Sequence, residues 1–177
     1  MFGDEHAERT LQAIAEERRN LFFGKYRGKV VKALDGDDLG KLEVSVPDVL
    51  GNVTGTAWPC VPFAGPDHGF VAIPEQDDGV WIEFEGGNPA QPIWVGCWWG
   101  DGDMPSQGDV KVRTWVTTGG LAIIMDDNQN QLTLQHPDGP SITLSSDGIT
   151  LSTDSATITL GEDGISLNGD TDVSEGG

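Results

Sequence analysis

Residues 141–172 state one pattern twice. Residues 141–156 and 157–172 align at a 16-residue offset, which sets Ile142 on Ile158, Leu144 on Leu160, Ile149 on Ile165 and Leu151 on Leu167. Asp147-Gly148 and Asp163-Gly164 coincide as well. In each copy Ile and Leu alternate with Thr or Ser, so the apolar side chains share one face of a short strand. The Asp-Gly pairs mark sharp corners, because Gly accepts positive φ. Strands this short cannot enclose a two-layer core within one chain. Their eight Ile and Leu side chains are too few to offset the entropy of ordering the segment. A one-chain solenoid needs several rungs of about 20 residues or more.

Three chains wound about one axis remove the difficulty. The expected trimer core is Ile142, Leu144, Ile149, Leu151, Ile158, Leu160, Ile165 and Leu167, all facing the axis, with the Thr, Ser and Asp face in water. Each strand is expected to pair above and below with strands of the other chains, which leaves no lateral edge exposed. The Asp-Gly pairs at 138–139, 147–148 and 163–164 form the corners. Seven strands at about 4.8 Å spacing make a stiff rod roughly 30 Å long. A rod of this kind bears load and does not catalyse.

Upstream the pattern changes twice. Residues 5–23 predict a helix, with Leu11, Ile14, Arg18 and Leu21 at helical spacing among charged residues. Asp4 suits its N-cap and Gly24 its stop. Such a helix either packs on its own domain or docks on another subunit. Residues 26–96 predict about five short strands, among them 70–73, 80–85 and 93–95, punctuated by Pro and Gly. That content suits a small closed barrel. "CWWGDGDMPSQGD" reads as a joint, with Trp98 and Trp99 packed between barrel and rod. The expected organisation is a helix over 1–24, a barrel over 25–97, a joint over 98–110 and a rod with a polar tail over 111–177.

The net charge of -19 repels nucleic-acid phosphate and anionic membrane surfaces. Lys25, Arg27, Lys29 and Lys32 form the one basic cluster. Cys60 and Cys97 supply neither a disulfide framework nor a Cys-rich zinc site, and are expected to be reduced and half-buried. The first ten residues lack the apolar core of a secretory signal. No apolar run approaches the roughly 20 residues of a membrane span. There is no phosphate loop and no Gly-x-Ser-x-Gly elbow. His6, His68 and His136 have no metal-ligand spacing, and His68 is expected in a turn. Asp77/Asp78 and Asp126/Asp127 fall where turns place Asp. No catalytic residue, metal or cofactor is therefore expected.

The segment "WPCVPFAGPDHGFVAIPEQDDGVWIEFEGGNPAQPIWVG" resembles the oligonucleotide/oligosaccharide-fold (OB-fold) domain of contractile-tail spikes. That family includes phage baseplate assembly protein V, the valine–glycine repeat spikes of type VI secretion, and spikes of extracellular contractile injection systems. The resemblance rests on Pro59 to Gly65, on His68-Gly-Phe70, on Pro74-Glu75, on Val80 to Phe84 and on Gly86 to Gly96. "GKLEVSVPDVLG" is similar to the family's second strand and following loop. The resemblance implies an all-β chain: an N-terminal helix, an OB-fold barrel, then an intertwined trimeric β-helix, or triangular prism. It implies a homotrimeric structural spike, assembled in the cytoplasm without a signal peptide, within a phage tail-like particle that meets the target envelope transiently. With no room for a fused hub domain, a separate hub protein is expected to meet Leu11, Ile14 and Leu21. The blunt end, at Ile165 and Leu167, is expected to carry a tip protein of the proline–alanine–alanine–arginine repeat (PAAR) type. No His follows His136, which closes the family's alternative of a His-x-His iron site. The polar tail "NGDTDVSEGG" is expected not to fold over the end. The competing readings are a trimeric fibre or adhesin and a nucleic-acid-binding OB module. The acidity disfavours the second, since such grooves need Lys, Arg and exposed aromatics.

Overall fold

The computed structural model describes residues 4–33 and 39–168. All of the polar tail but Asn168 lies outside the described residues. The chain divides into two compact units between Gly102 and Asp103.

The first unit opens with helix α1 (Asp4–Arg19). Strands β1 (Tyr26–Ala33), β2 (Leu42–Ser45) and β3 (Thr54–Pro59) follow, with a single helical turn α2 (Pro47–Leu50) before β3. A two-residue hairpin, β4 (Ala64–Gly65) and β5 (His68–Gly69), leads to β6 (Gly79–Phe84) and β7 (Pro92–Trp98). Five strands close a barrel in the order β1-β2-β3-β7-β6. The β3–β7 pair is parallel and the others are antiparallel. This is the expected small barrel, consistent with an OB fold. Residues 70–73, expected as a strand, do not form one: Phe70 N–H donates to the Phe63 carbonyl at 3.1 Å beyond the β4–β5 hairpin, and Pro74, which follows, cannot donate to a ladder.

Alternation builds the barrel core. Leu42, Val44 and Val46 are fully buried, while Glu43 and Ser45 between them are only partly covered. Val80, Ile82 and Phe84 of β6 do the same from the opposite wall, and Val30, Ala57 and Trp94 complete the cluster. Trp94 keeps its polar atom satisfied by donating Nε1–H to the Gly40 carbonyl at 3.0 Å. Each such large side chain contributes about 1.5–3 kcal/mol on burial.

The helix is shorter than its spacing suggests. Helix α1 ends at Arg19, and residues 21–23 lie on the barrel instead. Phe22 N–H donates to the Gly87 carbonyl at 2.8 Å. The Phe22 ring meets Tyr26 and Phe84 with centroids 6.1 and 6.2 Å away. Gly87 sits at φ +81°, and a Cβ there would stand 3.1 Å from Leu21 Cβ and 3.0 Å from the Phe23 ring. Leu21 is thus partly covered by the barrel and does not continue the helical stripe.

The second unit is one seven-stranded sheet in the order β14-β13-β12-β11-β10-β9-β8. Its strands are β8 (Val112–Val116), β9 (Ala122–Asp126), β10 (Gln131–Gln135), β11 (Ser141–Ser145), β12 (Gly148–Ser152), β13 (Thr157–Gly161) and β14 (Gly164–Asn168). Every neighbouring pair is antiparallel. Strand number and apolar alternation match expectation, but the pairing partners differ. Consecutive strands of the same chain hydrogen-bond to one another, where pairing with strands of other chains was expected. Hairpin connections of two to five residues make this possible, since a short loop between antiparallel strands closes at little entropic cost. The three Asp-Gly pairs all lie at these connections.

Candidate trimer interface and docking surfaces

The register of the meander aligns the apolar side chains in two columns. The first runs Met125, Leu132, Leu144, Ile149, Leu160, Ile165. The second runs Trp115, Ile123, Leu134, Ile142, Leu151, Ile158, Leu167. All eight residues expected in the trimer core therefore fall on one face, four in each column. The 16-residue offset corresponds to one complete hairpin, so repeat-related residues share a column. Sequence reasoning missed the upper part of both columns. "LAIIM" and "QLTLQ" carry the same alternation but lack the Asp-Gly frame that made the later copies conspicuous.

Burial on this sheet is inverted. The face bearing Thr133, Thr143, Thr150 and Thr159 is partly covered, while Ile142, Leu144, Ile149, Leu151, Ile158 and Leu160 are 37–43% exposed. Among the described residues of this unit only Ala122 is a buried hydrophobic. A contiguous exposed apolar face on a soluble chain marks an interface. Over the second column the face deepens into an open groove of about 770 Å³, walled by Leu121, Pro140 and Ala156. At the end of the stack, β14 is exposed along its length, with Ile165 at 73% and Leu167 at 49%.

The other expected surfaces are on the barrel unit. Leu11 and Ile14 are 66% and 45% exposed on α1; Leu21, named with them, is separated from them by its seat on the barrel. The basic cluster is largely occupied locally. Lys25 pairs with Glu83, Lys29 Nζ donates to the Asp77 carbonyl at 2.9 Å, and Arg27 stacks over Trp98 with its guanidinium 4.9 Å from the ring centroid. Trp98 Nε1 donates to the Val80 carbonyl, so Trp98 packs on the barrel, while Trp99 is exposed. Lys29 Nζ also lies over the Trp98 ring, 4.8 Å from its centroid.

His68 lies in β5, its Nδ1 2.8 Å from the Pro66 carbonyl. Cys60 and Cys97 are free thiols, and both are exposed rather than half-buried; Cys60 follows the last residue of β3, and Cys97 is the next-to-last residue of β7. Cys97 nevertheless has its pKa raised, first by desolvation and then by the negative charge of Asp78. No group of three His, Cys, Asp or Glu among the described residues is placed to hold a metal. No helix among them is long and apolar enough to cross a membrane.

Comparison with known families agrees with this geometry. Residues 26–99 match the family described as type VI secretion system/phage-baseplate injector OB domain. Residues 111–171 match the phage baseplate V C-terminal trimerisation domain. A search of curated proteins finds no match. The first match covers the closed barrel and the second covers both apolar columns.

Proposed function

The chain belongs to the spike family of phage baseplates and type VI secretion, and on that premise we propose that it is the central piercing spike of a contractile injection apparatus. The observation that carries this reading is the pair of exposed apolar columns inside a segment matching a trimerisation domain. Three copies bring those faces together on an axis and convert three one-sided sheets into a closed, stiff prism. Such an object transmits axial force from a contracting sheath to a target envelope. Its role is mechanical, with assembly in the cytoplasm and no enzymatic step. The direct test is light scattering. The expected mass is three times the 18.9 kDa of one chain, and a folded monomer at micromolar concentration overturns the proposal.

Two further contacts belong to the same reading. Helix α1 docks on a separate hub protein through Leu11 and Ile14, while Leu21 fixes the root of the helix on the barrel. Deleting residues 1–19, which leaves Leu21 and Phe22 on the barrel, should weaken hub capture and leave the trimer intact; undiminished capture overturns the helix's role. The exposed end at Ile165 and Leu167 seats a tip protein of the PAAR type. Leu167→Lys should abolish tip binding and spare the trimer, because only the last layer changes. Mass spectrometry of purified particles checks it: three spikes and no such tip protein would defeat the idea.

A further inference from the structure

The outer face of the barrel carries two neighbouring cations whose donors are largely unspent. Arg27 and Lys29 are exposed on β1, two residues apart and therefore on one face of the strand. On β6 they stand opposite Trp81 and Gly79, and on β2 Lys29 stands opposite Ser45. Trp98 of β7 pairs with Gly79 and lies across it: a Cβ at Gly79 would sit 2.6 Å from the indole. The missing side chain at Gly79 thus lets the indole reach over β6 to the cations of β1. Trp98 is anchored there by its Nε1–H, which donates to the Val80 carbonyl at 3.2 Å.

Aromatic contact occupies these cations without using up their N–H groups. The Arg27 guanidinium lies 5.5 Å from the Trp81 centroid and 4.9 Å from that of Trp98, and Lys29 Nζ lies 4.8 Å from the latter. Among the described residues the guanidinium makes no hydrogen bond and no ion pair, although an Arg fork offers five donors. Lys29 Nζ spends one of its three donors on the Asp77 carbonyl. Two like charges drawn onto one ring repel each other unless an anion joins them. Neither has a carboxylate partner among the described residues, in a chain with 29 acidic and 10 basic residues. A cavity of about 260 Å³ opens beside them, lined by Arg27, Lys29, Ser45, Pro47, Asp48 and Trp98. Asp48, the one acid in that lining, forms no ion pair with either cation.

We infer that Arg27 and Lys29 receive an Asp or Glu carboxylate from an acidic segment of a partner protein. A guanidinium held against two indoles is fixed in place with its donors free, which suits the two oxygens of a carboxylate. Arg-centred recognition of acidic motifs works in this way. A nucleic-acid strand fits worse. Its charge is continuous, so it would run past the two cations onto Asp48 and a surface of net charge -19. The site lies within the barrel and does not depend on how the rod assembles.

The test is NMR of the full-length protein at about 0.15 M salt, where the Debye length is about 8 Å and local charges outweigh the global one. The Trp98 indole N–H signal, identified by its loss in Trp98→Phe, reports the site. The peptide acetyl-Gly-Glu-Gly-Glu-Gly-Glu-amide should shift that signal saturably, and its Gln counterpart should not. Arg27→Ala/Lys29→Ala should weaken the peptide roughly tenfold or more. The mass by light scattering should stay unchanged, because both side chains are exposed. Arg27→Lys keeps the charge but loses the fork, and should also weaken the peptide. Equal shifts from the Gln peptide, an unchanged affinity in the double variant, or no shift at millimolar Glu peptide would each overturn the inference. So would tighter binding of a thymidine hexanucleotide, which assigns the face to nucleic acid. An equal response to acetate would reduce the site to a nonspecific anion contact and overturn it as well.

Discussion

The barrel and the rod are both made of short, alternating, mostly antiparallel strands, yet they differ in where the apolar side chains end up. In the barrel, Val30, Leu42, Val44, Val80 and Ile82 are at most 1% exposed within one chain. In the rod, the equivalent alternation leaves two full columns open. The difference is closure. Five strands returning to β1 give an inside and an outside, whereas a seven-stranded meander has two faces and two ends. A sheet with one apolar face needs a second layer to be stable in water. The barrel finds that layer in itself and the rod finds it in other copies. Identical strand-level patterning thus specifies a self-contained domain in one case and an interface in the other.

The largest expected effect separates the two. Ile158→Asp puts a carboxylate into the second column of every copy, an uncompensated buried charge that costs several kcal/mol per site. The trimer should be lost on size exclusion with light scattering. Ile82→Ala should instead lower barrel stability by about 2–5 kcal/mol and leave the oligomer unchanged. The converse pattern, with Ile82→Ala dissociating the trimer and Ile158→Asp sparing it, would mean that the barrel and not the rod holds the copies together.

A smaller effect tests the stacking within the rod. Gly148 and Gly164 are repeat-equivalent and both sit at positive φ, +126° and +118°. Alanine at either position should cost about 1–3 kcal/mol in backbone strain. At Gly148 the added Cβ would also run into the Leu160 carbonyl of the next strand; at Gly164 it meets nothing within 4 Å. Thermal unfolding should therefore show Gly148→Ala clearly less stable than Gly164→Ala. Equal losses would mean that β12 and β13 do not stack as described.

Much of this was legible in the residues. The period-two alternation of "KLEVSVP" and of the repeat fixes which side chains share a face, and Asp-Gly marks the corners. Strand partners were not legible, because the same apolar face results whether a strand pairs within its chain or between chains. Leu21 shows a second limit. Its spacing from Leu11 and Ile14 continues a helical stripe, but the neighbouring Phe22 gains more from the Tyr26–Phe84 cluster and from the Gly87 carbonyl. Those partners are more than sixty residues away in the case of Phe84 and Gly87, so local pattern carries no trace of them. The groove was invisible for the same reason: it is made by three connections that only the folded meander brings to one edge.

The smallest expected effect uses Cys97 to ask whether the barrel keeps its structure when the rod is broken. Cys97 lies in β7 opposite Val80, with Asp78 contributing to its raised pKa after desolvation. The thiolate is the reactive form, so a raised pKa slows alkylation at a fixed pH near neutrality. In a Cys60→Ser background, iodoacetamide should modify Cys97 more slowly in the folded protein than in urea. The sign for stability follows: folding favours the protonated thiol, so this group leaves stability unchanged below its ordinary titration range. Stability then falls as pH rises from the unfolded pKa, near 9.0, towards the higher folded one. If the barrel is self-contained, adding Ile158→Asp should leave the slow alkylation intact while the trimer is gone. If Cys97 then reacts as fast as in urea, barrel and rod are one cooperative unit and the contrast between them fails.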